Sequence, residues 1–413
     1  MQKGPTVKLC TSKDLPADWF RRQKTDPIAA QELQSAVKDI IEKVKVEGDR
    51  ALLDFAGKFD KAQLTPKTLR VRPEEVKEAY KKITSDQLSA LKFMKERVCN
   101  FQKQLLTQTQ VTTQADGVTV KTELRPLESV GCYVPGGQAA YPSTVVMTAL
   151  VAKIAGVPRV VVVSPSDAKG KINALVLVAC DVCGVDEVYK VGGAQAIAAL
   201  AYGTRNITPV LKIVGPGSRY VTEAKVQVSN DVAIDMPAGP SEVLVVADES
   251  ADARLIAYDM ISQAEHGGDS VAGLITTSDK LALKVQENLA SVAASAERGA
   301  KIAESLSKYG FIIVCKNVEE MVCLANQFAA EHLEVLAQNG KELAEKLVAG
   351  LILIGPYSPV PLSDYASGTN HVLPTGGFAQ AFSGLSALDF MRRVSVVECT
   401  RTGLERVKDS VKV

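Results

Sequence analysis

The sequence predicts an α/β protein with parallel sheets, two of them given the number of repeating units. Three observations carry that prediction. After Pro126 the chain repeats a short apolar run, a glycine-containing turn and a helical stretch, in RVVVVSPS, DEVYKVGG, PVLKIVGPG, SEVLVVADES, VAGLITTS, FIIVCKN and GLILIGP. Its 413 residues exceed one ordinary domain and suggest two to three packed units. A hydrophobic content of 46% with 23% charged residues is that of a globular chain with a sizeable core.

The opening MQKGPTVKLC has no apolar core behind its lysines, and no later run approaches the roughly 18 apolar residues that would span a bilayer. A soluble, cytoplasmic protein with no membrane partner is expected. From Pro27 to about Leu106 apolar residues recur at helical spacing, as in QELQSAVKDIIEKVKVEG and QLSALKFMKERVCNF. VTTQADGVTVKTEL then alternates like a hairpin, with Asp116-Gly117 as its turn. Domain borders are expected where the pattern changes, near Val130 and at the Pro237 to Pro240 stretch.

Lys plus Arg (48) nearly cancels Asp plus Glu (47), and neither sign forms a long block. No broad field awaits nucleic acid or an anionic membrane, so the expected partner is a small molecule. The eight cysteines lie mostly in apolar segments, which suits reduced, buried thiols. The one CxxC, Cys180 to Cys183, ends an apolar pattern and has no second copy, so it reads as core packing.

Three segments run strand, glycine turn, helix: SVGCYVPGGQAAYPSTVVM, VYKVGGAQAIAALAYG and KIVGPGSRYVTEAK. Glycine lets a ligand approach the backbone, and the N–H groups that open the next helix attract phosphate or carboxylate. None is the GxGxxG fingerprint, and each alone reads as a structural turn. Three in succession point toward a nucleotide at the carboxyl edge of a sheet.

The chain has only three histidines. In DMISQAEHGGDS, Gln263 and His266 are three apart, so on a helix they share a face and can share a cation. An amide oxygen with an imidazole makes half a zinc site, but the same pattern also describes a histidine at a helix C-terminus, capped by Gly267. FAAEHLEVL, read as helical, places Glu331 and His332 as adjacent acid and base pointing different ways, or equally as a solvated face. GPYSPVPLSDYASGTNHVLPTGG is expected to be irregular over about 20 residues and gathers Asp364, Ser367, Asn370 and His371. A GxSxG elbow and a P-loop are both absent. Metal-assisted redox chemistry fits this combination best.

Taken together, VGCYVPGGQAAYPSTVVM, VGGAQAIAALAYGT, GPG with YVTEAK, GPSEVLVVADESA, SQAEHG, EHLEV, and GPYSPVPLSDYASGTNHVLPTGG with SGLS resemble the histidinol dehydrogenase family. They follow the family's order from about Val130 to Phe390. The resemblance implies two incomplete Rossmann-like parallel-sheet domains with small helical terminal segments, in a swapped homodimer. It divides the chain into an N-terminal arm (1–25), a main domain with the zinc and substrate site (26–130 and 240–385), an NAD-binding domain (131–239) and a C-terminal dimerisation segment (386–413).

The activity implied is zinc-dependent oxidation of L-histidinol through L-histidinal to L-histidine, with NAD taking two hydrides in turn. By position, Gln263, His266 and Asp364 match zinc ligands. His332 matches the general base and Glu331 the residue that activates water. Ser241 and His371 match substrate contacts alongside the zinc ligands and Glu331, and Tyr133, Gln195 and Ser218 match cofactor positions. Ser218 stands where the family usually has asparagine. The family pattern also continues into a helix with an acidic residue and a histidine that completes the partner's zinc site, whereas this sequence stops at GLERVKDSVKV. The alternative within the same scaffold is a zinc- and NAD-linked oxidation of another small polar alcohol, such as a sulfonated diol.

Overall fold

The computed structural model describes residues 7–16, 19–20, 27–107, 111–136, 140–236 and 239–412. Much of the expected N-terminal arm, the centre of the first glycine loop (137–139) and the Pro237-Ala238 border lie outside the described residues. The chain divides into two compact units, one of residues 37–235 with 385–413 and one of residues 1–36 with 236–384.

β1 (Lys8–Thr11) belongs to the second of these units and is treated with it below. In the first unit, β2 (Thr112–Ala115) and β3 (Val118–Pro126) form the expected hairpin. Asp116 and Gly117 both have positive φ, 52° and 81°, as a tight turn between right-twisting strands requires. Five strands then form a wholly parallel sheet: β4 (Ser129–Tyr133), β5 (Arg159–Val163), β6 (Glu187–Tyr189), β7 (Lys212–Val214) and β8 (Ala233–Ile234), in the order β6-β5-β4-β7-β8. Strand order reverses between β4 and β7, which makes that junction a topological switch point.

The expected division is corrected here, because most of the helical lead-in packs with the five-stranded sheet rather than with residues 240–385. Helix Ser85–Thr107 buries Leu91, Met94 and Val98, one face of a 3.6-residue period, against helices Val151–Ile154 and Ala174–Val182. Periodicity tells which face a helix buries but not against what.

The second unit holds six parallel strands. β9 (Glu242–Ala247), β10 (Val271–Thr276), β11 (Phe311–Val314), β12 (His332–Leu336) and β13 (Leu351–Ile354) join β1 in the order β1-β11-β10-β9-β12-β13. Part of the N-terminal arm is thus an edge strand, paired with β11 from Lys8↔Phe311 to Thr11↔Val314.

Every residue of β9 and β12 is buried, as parallel strands covered on both faces must be. Val243, Val245 and Ala247 pack with Ile256, Ala257, Met260, Leu281 and Val285 on one face. Leu244 and Val246 pack with Met321, Phe328, Leu343 and Leu347 on the other. Each such Val or Leu contributes about 1.5–3 kcal/mol by leaving water.

β14 (Met391–Cys399) pairs antiparallel with β3 over nine residues, from Met391↔Pro126 to Cys399↔Val118, and helix Arg401–Val411 follows it. The C-terminal segment is therefore strand and then helix, where only a small helical piece was expected. Cys132, Cys180, Cys183 and Cys315 are buried, Cys323 and Cys399 are exposed, and all eight thiols are free. Among the described residues no helix is long and apolar enough to cross a membrane.

Candidate active site

The acid and base predicted from the sequence meet at the amino edge of the six-stranded sheet. Helix Val318–Phe328 ends at Ala329, a left-handed residue with φ 45°, and β12 begins at His332. The expected helical setting of Glu331 and His332 is therefore replaced by a bend at Glu331 and the first residue of the strand at His332. Leu336 belongs to the core packed on helix Ala253–Ala264, so by period-2 alternation His332 faces that side. Leu333 and Val335 belong to the other core, and Glu331 sits in the bend just before the strand. Neither is solvated, with Glu331 6% and His332 4% exposed.

Glu331 is held by β9. Its Oε2 accepts the Glu242 N–H at 2.8 Å, while Glu242 Oε2 accepts the Glu331 N–H at 3.3 Å and Glu242 Oε1 accepts the Gly376 N–H at 3.0 Å. Glu242 was not singled out in the sequence, because a glutamate in SEVLVV looks like an ordinary strand terminus until its burial is known.

The imidazole of His332 lies between two carboxylates, Nδ1 3.8 Å from Glu331 Oε2 and Nε2 3.4 Å from Asp364 Oδ1. These are charge-pairing distances without hydrogen-bond alignment, and neither ring nitrogen has a hydrogen-bond partner. Burial pushes the Glu331 carboxyl up to about 8, against the opposing pull of His332. For His332 burial disfavours the charged ring, but Glu331 and Asp364 outweigh it and raise its pKa. Burial likewise works against the Asp364 carboxylate, yet His332, His371 and His266 hold it below its usual range. All three histidines of the chain thus act on one aspartate.

Asp364 sits on a helix, Val360–Tyr365, inside the segment expected to be irregular. Pro359 and Pro361 flank and enter its first turn, where proline costs no helical hydrogen bond. Helix Ala253–Ala264 carries Gln263 and ends just before His266, whose N–H still reaches the Gln263 carbonyl at 3.2 Å. Gln263 is 1% exposed, and its Nε2 has no partner. His266 is open to solvent on one side yet crowded by protein, and that desolvation lowers its pKa. Burial also lowers that of the half-buried His371, against the pull of Asp364. Ser241 precedes Glu242 at the same edge, and its carbonyl accepts the Val271 N–H at 3.0 Å.

Among the described residues no group of three or more His, Cys, Asp and Glu side chains is arranged to hold a metal ion. The set Gln263, His266 and Asp364 mixes an amide with an imidazole and a carboxylate, donors that zinc accepts. The buried Asp364 Oδ1 is without a hydrogen-bond partner, which fits a residue whose ligand is not a protein group.

In the other unit, the three glycine loops leave the carboxyl ends of β4, β6 and β7. Two of those strands flank the switch point, the usual place of a ligand crevice. Tyr133 ends β4, is buried, and its hydroxyl accepts the Gly193 N–H at 3.1 Å, which ties the first loop to the second. Gln195 is buried in helix Gly193–Tyr202, its amide folded back toward Gly193. Exposed Ser218 precedes helix Arg219–Val228 without capping it by its side chain.

The third loop is clamped from below. Buried Lys225 pairs with Asp235 and donates to the Gly215 carbonyl at 3.0 Å, and Asp235 accepts the Gly215 N–H at 2.7 Å. At Gly215, with φ 117°, a Cβ would run into the Tyr133 carbonyl oxygen. The expected cofactor positions are thus gathered at one sheet edge.

The sequence matches the histidinol dehydrogenase family model over residues 22–413. It is similar to the histidinol dehydrogenase of Methanosarcina mazei, with 42% identity over 377 residues, 91% of this chain and 86% of that protein. The corresponding protein of Caldanaerobacter subterraneus subsp. tengcongensis is 45% identical over 390 residues, 94% of this chain and 90% of its own. The crystal structure of histidinol dehydrogenase from Elizabethkingia anophelis is similar with a TM-score of 0.91 and 33% identity, covering 99% of this chain and 94% of that one.

Proposed function

Because this chain belongs to the histidinol dehydrogenase family, we propose that it oxidises L-histidinol through L-histidinal to L-histidine, with two successive hydrides passing to NAD. The observation that supports this most is His332, a buried imidazole with no hydrogen bond at either nitrogen and a carboxylate on each side.

In the first oxidation His332 takes the hydroxyl proton while a hydride leaves the same carbon. Asp364 stabilises the imidazolium that forms. In the second, Glu331 takes a proton from the water that adds to the aldehyde while His332 returns its proton to the aldehyde oxygen, and His332 then accepts the proton of the resulting diol as the second hydride leaves for NAD. Their separate side chains suit the task, since the two steps remove protons from different oxygens. Ser241 and His371 complete the substrate contacts.

Gln263, His266 and Asp364 would hold zinc. Zinc when bound supplies a template and a Lewis acid. Tyr133, Gln195 and Ser218 would contact the dinucleotide, the shorter Ser218 offering a hydroxyl in place of an amide. The largely exposed strand β14 and helix Arg401–Val411, with Val397 63% and Leu404 59% exposed, support a homodimer that exchanges its C-terminal segment. Free thiols throughout support a cytoplasmic setting.

The test is NADH formation from L-histidinol by zinc-loaded protein. Two NADH per L-histidine are expected, and no turnover of histidinol would overturn the proposal.

A further inference from the structure

We propose that Glu334 is a positioning residue, its one carboxyl joining the three elements that carry His332, Gln263 and Asp364. The inference rests on the functional reading above for what those residues do, and on geometry for how they are joined. Glu334 lies two residues after His332 on β12, on the same face, and is 2% exposed. Its Oε1 accepts the Val360 N–H at 3.1 Å, and Val360 opens the helix that carries Asp364. An N–H at a helix start has no partner within its own helix, so this bond both satisfies the donor and fixes the helix against the strand.

The second oxygen, Oε2, is buried and meets no donor. The carboxyl that acts on Glu334 from the neighbouring helix is that of Asp259. Asp259 lies on helix Ala253–Ala264, one turn before Gln263 and on the same helical face. Two carboxyls that interact in this way cannot both be ionised, so one proton shared between them turns a repulsion into a hydrogen bond. Burial raises both groups in the direction that keeps this proton. Glu334 thereby braces the strand of the base against both helices that carry the expected metal ligands. The sequence hid it, because EHLEVL reads as helical and the second glutamate is then one more polar letter in it.

Glu334→Gln and Glu334→Leu separate this brace from a simple need for a filled core. Glutamine keeps an oxygen for the Val360 N–H and supplies an N–H to the Asp259 carboxylate, so kcat/KM for histidinol should stay within about fivefold of wild type. Leucine keeps the volume and loses both bonds. Its kcat/KM should fall about 100-fold, the effect of misplacing reacting groups by about 1 Å, with kcat falling more than KM changes.

Hydrogen exchange reads the brace without reference to activity, with faster exchange at residues 253–266 and 360–365 in Glu334→Leu but not in Glu334→Gln. Should Glu334→Leu fail to fold, Asp259→Asn and Asp259→Leu pose the same comparison from a half-buried position. Equal activity of the leucine and glutamine variants, or unchanged exchange in both helices, would overturn the proposal. An inactive wild-type protein that still shows the exchange difference would instead overturn the functional reading and leave the brace standing.

Discussion

Nε2 of His332 stands 3.4 Å from Oδ1 of Asp364, an imidazole and a carboxylate buried together with neither atom engaged in a hydrogen bond. A neutral imidazole so placed can take a proton, and the carboxylate beside it then meets the new charge. His332→Asn should lower kcat by about 10²- to 10⁴-fold, the usual worth of a positioned base, while the melting temperature changes little. Steady-state NADH production beside a thermal melt checks both halves.

Glu331 sets the acid limb of the pH profile. A carboxyl pushed up to about 8 is protonated below that pH and cannot take a proton from water. Oxidation of L-histidinal should therefore weaken as pH falls through about 8 and strengthen as it rises. Glu331→Gln should remove that limb and most of the second oxidation, while aldehyde formation from the alcohol persists. Product analysis with aldehyde supplied as substrate measures this directly.

Zinc retention should follow the buried donors. Dialysis against a chelator should abolish turnover, and zinc added back should restore it. Gln263→Ala and Asp364→Ala should each bind zinc at least tenfold more weakly, read by metal content after dialysis. Asp364→Ala should also leave His332 with a lower pKa, since the carboxylate is one of the charges that raise it.

Gly215→Ala should strike the other unit. A positive φ costs an L-residue about 1–3 kcal/mol, and here the added Cβ also meets the Tyr133 carbonyl oxygen. The loop above the Lys225 and Asp235 pair must then shift, so NAD should bind at least tenfold more weakly by fluorescence titration. Metal content, which depends on the other unit, should be unchanged.

Much of this molecule was legible in its sequence. The apolar runs gave the α/β class, and Asp116-Gly117 gave a hairpin turn whose two positive φ angles the structure shows. SQAEHG and EHLEV marked residues that stand near one sheet edge. The remainder depended on partners distant in the chain. KLCT is too short and mixed to read as a strand until β11, 303 residues on by Lys8↔Phe311, supplies its pairing. Helix Ser85–Thr107 shows its apolar stripe but not the surface that receives it. Glu242 and Glu334 are polar letters in apolar strands, and only burial reveals that each has a carboxyl accepting backbone N–H groups. Asp364 lay among prolines that disguise a short helix.

The clasp between Glu242 and Glu331 spans 89 residues of chain, and both lie at the start of central strands. Contacts so far apart along the chain form late, after local helices and turns. The acid and base are therefore assembled only when β9 and β12 have paired. Enzymatic activity becomes a clock for the completed sheet, and in refolding its return should lag behind the recovery of helical signal.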